Sequence, residues 1–264
     1  MKGIDVSKWQ GNIDFTAVKK AGIDFVIIRA GYGRVASQKD PFFERNYAAA
    51  KAAGLHVGAY WYSYADSAQD AKKEAALCLE VIKGKTFDFP IYFDLEERDQ
   101  FAKGRDFCSE LVKTFCTELE KAGYFAGLYI SRSPLQTHIT KEVAERFALW
   151  VAEYGPKLNW AGAYGIWQHS STGRVVGVIG NVDLDTAVVD YPAIIKKGGF
   201  NGYPKQNAAV SAPKYKDYQI IPGDTLTAIA KAHGTTVSEL KKINGIKNAN
   251  LIYAGDIIKI PVKG

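Results

Sequence analysis

The chain has 264 residues, a formal net charge of +6, a hydrophobic fraction of 47% and three cysteines. That composition supplies a real core and excludes a chain disordered throughout. No apolar run nears the roughly 18–20 residues of a membrane helix, and the opening MKGIDVSKWQ lacks the apolar stretch of a secretory leader. The expectation is a protein made in the cytosol, with no membrane insertion. Cys108 and Cys116 stand eight apart on a helical pattern, about 12 Å along one axis and beyond bridging reach. Free, buried thiols follow. The charge does not point to nucleic acid. Residues 214–264 hold eight Lys and four acids, whereas the first 213 carry 26 basic and 24 acidic residues. No basic cluster forms in either part.

Short apolar runs alternate with amphipathic segments along the first part. Strands are expected at 3–6, 25–30, 56–62, 90–95, 126–130, 149–152, 164–168 and 181–184. Helices are expected at 15–21, 41–53, 67–82 and 105–122, several of them ending at a glycine. This alternation implies a mostly parallel sheet with helices outside it, and eight strands suggest closure into an α/β barrel. The connections after the fifth strand are short or irregular, so the barrel should be incomplete. The stretch GGFNGYPKQNAAVSAP, residues 198–213, reads as a linker. Beyond it, residues 214–264 read strand, helix, helix, strand.

The most unusual stretch is Ile91-Tyr92-Phe93-Asp94-Leu95-Glu96, an apolar strand ending in two carboxylates. At i and i+2 they face the same side, at the strand end where barrel enzymes keep their catalytic groups. Mutual repulsion and burial should leave one of them protonated near neutral pH, as a general acid requires. A solvated strand end or a metal pair remains open on this motif alone. Asp5 closes the first strand and Asp183 lies on the eighth, and these strands are neighbours in a closed barrel. Four carboxylates then meet at one mouth, to bind a cation or to run acid/base chemistry on an uncharged substrate. No HExxH and no paired His–Cys spacing supports a metal. Tyr60 and Tyr62 on strand three, Trp150 on strand six and Gln168 on strand seven surround the same mouth. Aromatic rings beside acids suit a sugar.

The segments GIDVSKWQGNIDF, FVIIRAGYG, GAYWYSYA, IYFDLE, GLYIS, LWVAEY, IWQHSS and GNVDLD occur in the order expected of family 25 glycoside hydrolases. The resemblance spans about residues 1–192. It implies a flattened, incomplete TIM-like barrel over 1–197. It also implies an N-acetylmuramidase that cuts the β-1,4 bond between N-acetylmuramic acid and N-acetylglucosamine, with no cofactor and no metal. By motif, Glu96 resembles the general acid/base, Asp94 its partner, and Asp5 and Asp183 the supporting acids. Sugar contacts are implied at Tyr60 and Tyr62. The tail, YQIIPGDTLTAIAKAHGTTVSELKKINGI and IYAGDIIKIP, resembles a βααβ LysM module. Its glycan groove is implied at Gly223, Asp224, Thr225 and Leu226 and at Asn250, Leu251 and Ile252. The implied partner is peptidoglycan of a Gram-positive wall. A phage endolysin reaching the wall after release, or a secreted autolysin, fits this reading. A non-catalytic wall lectin and another glycosidase such as a chitinase remain alternatives.

Overall fold

A computed structural model describes residues 1–205 and 215–262. Two compact units divide between Lys205 and Gln206. In the first, eight strands close a barrel in chain order: β1 (Lys2–Val6), β2 (Phe25–Tyr32), β3 (His56–Tyr62), β4 (Ile91–Asp94), β5 (Ala126–Ser131), β6 (Ala148–Ala152), β7 (Ile166–Gly173) and β8 (Val182–Ala187). Neighbours from β1 to β7 are parallel. Strand β8 runs antiparallel to both β7 and β1. The expected incompleteness therefore lies in the helical layer and not in the sheet. No helix connects β6 to β7 or β7 to β8.

The helices are α1 (Phe15–Lys20), α2 (Phe43–Ala52), α3 (Ala68–Ile82), α4 (Arg98–Phe101), α5 (Arg105–Lys121), α6 (Arg132–His138), α7 (Lys141–Arg146) and α8 (Tyr191–Gly198). Their starts follow the sequence chemistry. The Ser67 hydroxyl accepts from the Asp70 N–H, and the Asp190 carboxylate accepts from Ala193 N–H. Side chains alternate across each strand, so every strand feeds two cores. The outward set, including Val26, Ile28, Trp61, Phe93 and Leu128, packs on Cys78, Leu111 and Phe115 of the helices. All three cysteines are buried and free.

The other set fills the barrel with Phe25, Ile27, Phe89, Tyr92, Trp150 and Ile166. Glycines make room for these rings. A Cβ on Gly3 would lie 2.2 Å from the Phe25 ring, and one on Gly127 would lie 2.6 Å from Tyr92. One or two positions further towards the mouth, the same inward register turns polar. Phe25 and Ile27 lead to Arg29, Gly3 to Asp5, Tyr92 to Asp94 and Ile166 to Gln168. On the reversed β8 the order runs Ala187, Asp185, Asp183.

The expected linker at 198–213 is corrected in its first half. Residues 198–205 belong to the barrel unit, and 206–213 lie outside the described residues. Buried Asn201 donates from Nδ2 to the Phe89 carbonyl at 2.8 Å and accepts from the Phe125 N–H at 2.7 Å. The Tyr203 hydroxyl donates to Asp88 at 2.7 Å. This strap carries no apolar period, so its polar anchoring was invisible to hydrophobic patterning.

The second unit is β9 (Tyr215–Gln219), α9 (Leu226–Ala232), α10 (Val237–Asn244) and β10 (Ile257–Pro261), with β9 and β10 antiparallel. Thr225 and Thr236 cap its helices, and Gly245 ends α10 at φ +66°. Its small core is built on Ile220, Leu226, Ile229, Leu240, Ile258 and Ile260.

Asn201→Ala should strand the Phe89 carbonyl and the Phe125 N–H inside the barrel unit. The expected loss is about 2–3 kcal/mol, read by urea unfolding. A loss below about 0.5 kcal/mol would show that the strap contributes little to stability.

Candidate active site

The polar end of the barrel opens into a cavity of about 290 Å³. Asp5, Asp94, Glu96 and Asp183 all line it, and so do Tyr60, Tyr62, Trp150 and Gln168. The register explains the convergence. Asp5 pairs with Asp183 across β1 and β8, and Asp94 lies between Tyr62 on β3 and Tyr129 on β5. Glu96 stands two residues beyond Asp94, just past the end of β4. The reversal of β8 matters here. Its N-terminal end meets the C-terminal ends of the parallel strands, which brings Asp183 to the mouth and Asp185 one level below it.

These carboxyls titrate above the ordinary range, chiefly because burial penalises their charge. Asp94 is raised by burial and then by Glu96, with the Arg29 guanidinium opposing. Glu96, exposed at the rim, is raised by loss of hydration in the cavity and by Asp183 and Glu97, with a hydrogen bond to Tyr129 opposing. Asp5 is raised by burial, Asp185 and Asp183. Burial likewise raises Asp183. Arg29 sits within the polar layer, donating from Nε to Asp40 at 2.8 Å. A β-bulge between Arg29 and Gly31 in β2 interrupts the ladder beside it.

Two of the expected sugar contacts, Trp150 and Gln168, line the cavity from its floor. Trp150 is 1% exposed, forms the floor among Tyr60, Tyr92 and Tyr129, and donates from Nε1 to Asp185 at 2.8 Å. Gln168 is buried, donating from Nε2 to Asp5 at 2.8 Å and accepting at Oε1 from Tyr129 at 2.9 Å. Its amide is occupied within the protein. Tyr60 and Tyr62 are half-buried on the wall, and the Tyr62 hydroxyl donates to Glu97 at 2.7 Å.

Sequence reasoning passed over Trp9, Arg29, Tyr129, Tyr154 and Asp185. Trp9 is 76% exposed and borders both the cavity and an adjoining hollow with Lys8, Tyr32, Tyr62 and Tyr64. Such a ring suits stacking on the C–H face of a sugar. An Arg in the apolar run FVIIRAGYG and the second Asp of VDLD were both visible signals.

In the second unit, both expected segments border the end of the β9–β10 pair. Ile220 and Asp256 are joined there through the backbone. Leu226 is buried in the core. Asp224 accepts from the Tyr218 hydroxyl and the Ile221 N–H, and Thr225 caps α9. Leu251 is 58% exposed and Asn250 is also exposed, whereas Ile252 packs against the core.

The family model for glycosyl hydrolases family 25 matches residues 4–178. The chain belongs to this family. The LysM domain model matches residues 218–261. An autolytic lysozyme of Clostridium acetobutylicum is 33% identical over 186 residues, 70% of this chain and 55% of the relative. The chain thus spans about half the length of that relative. Lysozyme M1 of Streptomyces globisporus is 30% identical over 198 residues, 69% of this chain and 66% of the relative. An endolysin of Bacillus phage B103 is 59% identical over 44 residues, 16% of this chain and 17% of the relative. Among solved structures, the CTP1L endolysin superposes with a TM-score of 0.64 at 28% identity, covering 74% of this chain and 69% of that one. No helix among the described residues is long and apolar enough to cross a membrane.

Asp185 is pushed up to about 8 by burial, against the hydrogen bond from Trp150. The folded protein keeps a proton that the unfolded chain releases near the ordinary carboxylate value of 3.8. That contribution to stability is complete below about pH 4 and is lost as pH rises towards 8. Asp185→Asn cannot ionise and keeps the acceptor for Trp150. It should melt like the wild type at pH 4 and above it at pH 8. A constant offset across thermal melts at both pH values would contradict a protonated Asp185.

Proposed function

We propose that the protein is an N-acetylmuramidase that hydrolyses the β-1,4 bond between N-acetylmuramic acid and N-acetylglucosamine in peptidoglycan. The observation that carries this reading is the pair Asp94–Glu96 in a carboxylate-rich cavity with aromatic walls. Glu96, whose affinity for a proton is raised by the cavity and by its acidic neighbours, gives its proton to the glycosidic oxygen. Asp94 and Glu96 come from one strand end and do not flank a bond from opposite sides. Direct nucleophilic attack by Asp94 needs carboxyls roughly 5–5.5 Å apart across the sugar. We therefore assign Asp94 to orienting the substrate's N-acetyl group, whose carbonyl oxygen attacks the anomeric carbon. Asp5 and Asp183 sustain the negative field that favours the developing positive charge on the sugar ring. Tyr60, Tyr62 and Trp9 present faces to the pyranose rings.

Several relatives carry matching names: autolytic lysozyme, lysozyme M1 and endolysin. A further solved structure is of an autolysin of Streptococcus pneumoniae with a synthetic peptidoglycan ligand, at a TM-score of 0.63, 28% identity and coverage of 70% of this chain and 46% of that one. The LysM unit supplies wall affinity on the same chain, raising the local concentration of the glycosidase at its substrate. A Gram-positive wall, reached as a phage endolysin or as an autolysin, is the setting this combination fits.

Glu96→Gln should retain wall binding and lose activity by about 100-fold or more. Mass spectrometry of fragments released by the wild type should find new reducing ends on N-acetylmuramic acid. Reducing ends on N-acetylglucosamine would contradict the bond assignment, and lysis by the variant would remove Glu96 from its role. The LysM reading has its own test. Leu251→Asp should weaken sedimentation with purified walls while leaving hydrolysis of short soluble glycans unchanged, and undiminished sedimentation would move the glycan site elsewhere.

A further inference from the structure

The catalytic cavity continues beyond its own rim. Trp9, Arg29 and Tyr62 line both that cavity and the neighbouring hollow of about 390 Å³. Tyr64 lines this hollow and a further one of about 520 Å³. One groove arm therefore runs outward from the mouth. Aromatic rings build its wall. Tyr62 and Tyr64 have centroids 5.2 Å apart, and Tyr32 meets Tyr64 edge-on at 6.3 Å. Buried Glu74 accepts from the Tyr64 N–H at 2.8 Å and holds the wall in place.

Charge changes sign along this arm. The near hollow is cationic. Arg29 there is paired with Asp40 at 2.7 Å. The Lys8 ammonium lies over the Trp9 ring, 4.7 Å from its centroid, and has no acidic partner among the described residues. The far hollow is acidic. Arg34 there is paired with Asp70 at 3.0 Å, and Asp66 with Lys103. Glu97, which accepts from the Tyr62 hydroxyl, and Asp99 are left without a cation among the described residues. Gln100 lines the same hollow and points independently to the same ligand chemistry. It is 4% exposed, and its Nε2 donates to Ser63 Oγ and to the Ala65 carbonyl, both at 3.0 Å. A carbonyl only accepts, so the amide cannot be reversed. Its Oε1 is then a buried acceptor without a partner among the described residues. Such an atom costs free energy unless a donor reaches it.

We propose that this arm binds the stem peptide of peptidoglycan, with Lys8 taking the carboxylate of its second residue and residues 97–100 the amine of its third. The inference rests on the glycosidase reading, which puts muramic acid in the adjoining cavity. A stem peptide starts at the lactyl group of that sugar. It offers a neutral alanine, then a free carboxylate on glutamic acid, then the amine of a diamino acid. The groove presents the complementary signs in the same order, cation before acids. A glycan whose lactyl groups are capped by peptide is itself uncharged, so further sugars give Lys8 and Asp99 no ionic partner.

The test uses the peptide without its sugar, so that no bond is cut and no glycan reaches the LysM unit. D-Lactyl-L-alanyl-γ-D-glutamyl-L-lysine is titrated into the full-length protein and followed by backbone 15N NMR shifts. The shifts should saturate and centre on Lys8, Trp9, Tyr64 and Asp99. Lys8→Gln and Asp99→Asn should each weaken binding by about threefold, the size of one exposed ion pair. Amidating the glutamyl carboxylate should weaken binding to the wild type equally, yet cost Lys8→Gln nothing more. Acetylating the lysine amine should behave likewise with Asp99→Asn. Additive losses in these matched pairs would overturn the assignment. Saturation at another surface, or no saturable shift at all, would overturn it too. Fragment release from walls without peptide binding would refute the peptide site alone. Peptide binding by a protein that releases no fragments would refute the glycosidase reading and leave the peptide site standing.

Discussion

Carboxylates repel one another and lose hydration on burial, yet four of them share the mouth of this barrel and a fifth lies just beneath it. Asp5, Asp94, Glu96, Asp183 and Asp185 are all raised above the ordinary carboxylate range, with burial as the first cause in each case. The surrounding structure is arranged to hold them together. Arg29 stands in the same layer with its guanidinium held by Asp40. Trp150 and Gln168 supply buried donors from the floor. Each also holds its proton more tightly than a free carboxyl does, and that is the property an acid catalyst uses.

The barrel makes this concentration possible through register. Inward positions pass from Phe25 and Ile27 to Arg29, and from Tyr92 to Asp94, within a few residues of strand. An apolar lower half carries the packing while the upper half carries the chemistry. The antiparallel β8 extends the pattern by bringing its acidic start to the mouth. Its two inward aspartates then divide by depth. Asp183 faces the cavity, whereas Asp185 is sealed beneath it against Trp150.

Much of this was legible in the sequence. Alternation of apolar runs and amphipathic segments located all eight strands, with ends displaced by a few residues, because strand ends fray into loops that carry no period. The i, i+2 spacing of Asp94 and Glu96 put both at one cavity, and the pairing of first and last strands put Asp5 beside Asp183. The direction of β8 was passed over, although eight residues between β7 and β8 are too few for a parallel crossover. Depth was not legible either. Trp150 and Gln168 line the cavity as their positions near strand ends suggest, but at its floor, with their polar groups bonded to protein. The strap at 198–205 resembles a linker because Asn201 and Tyr203 hold it through polar bonds, which leave no hydrophobic trace.

The most direct measurement of the central claim is the pH dependence of kcat/KM for the wild type on a soluble peptidoglycan fragment. A general acid acts while protonated, so its activity is lost as pH rises through its pKa. The expected profile holds its rate above pH 4.5, the ordinary glutamic acid value, and falls on the alkaline side. A rate that instead climbs through that range and stays high in alkali would mean that Glu96 works ionised, and would contradict the account.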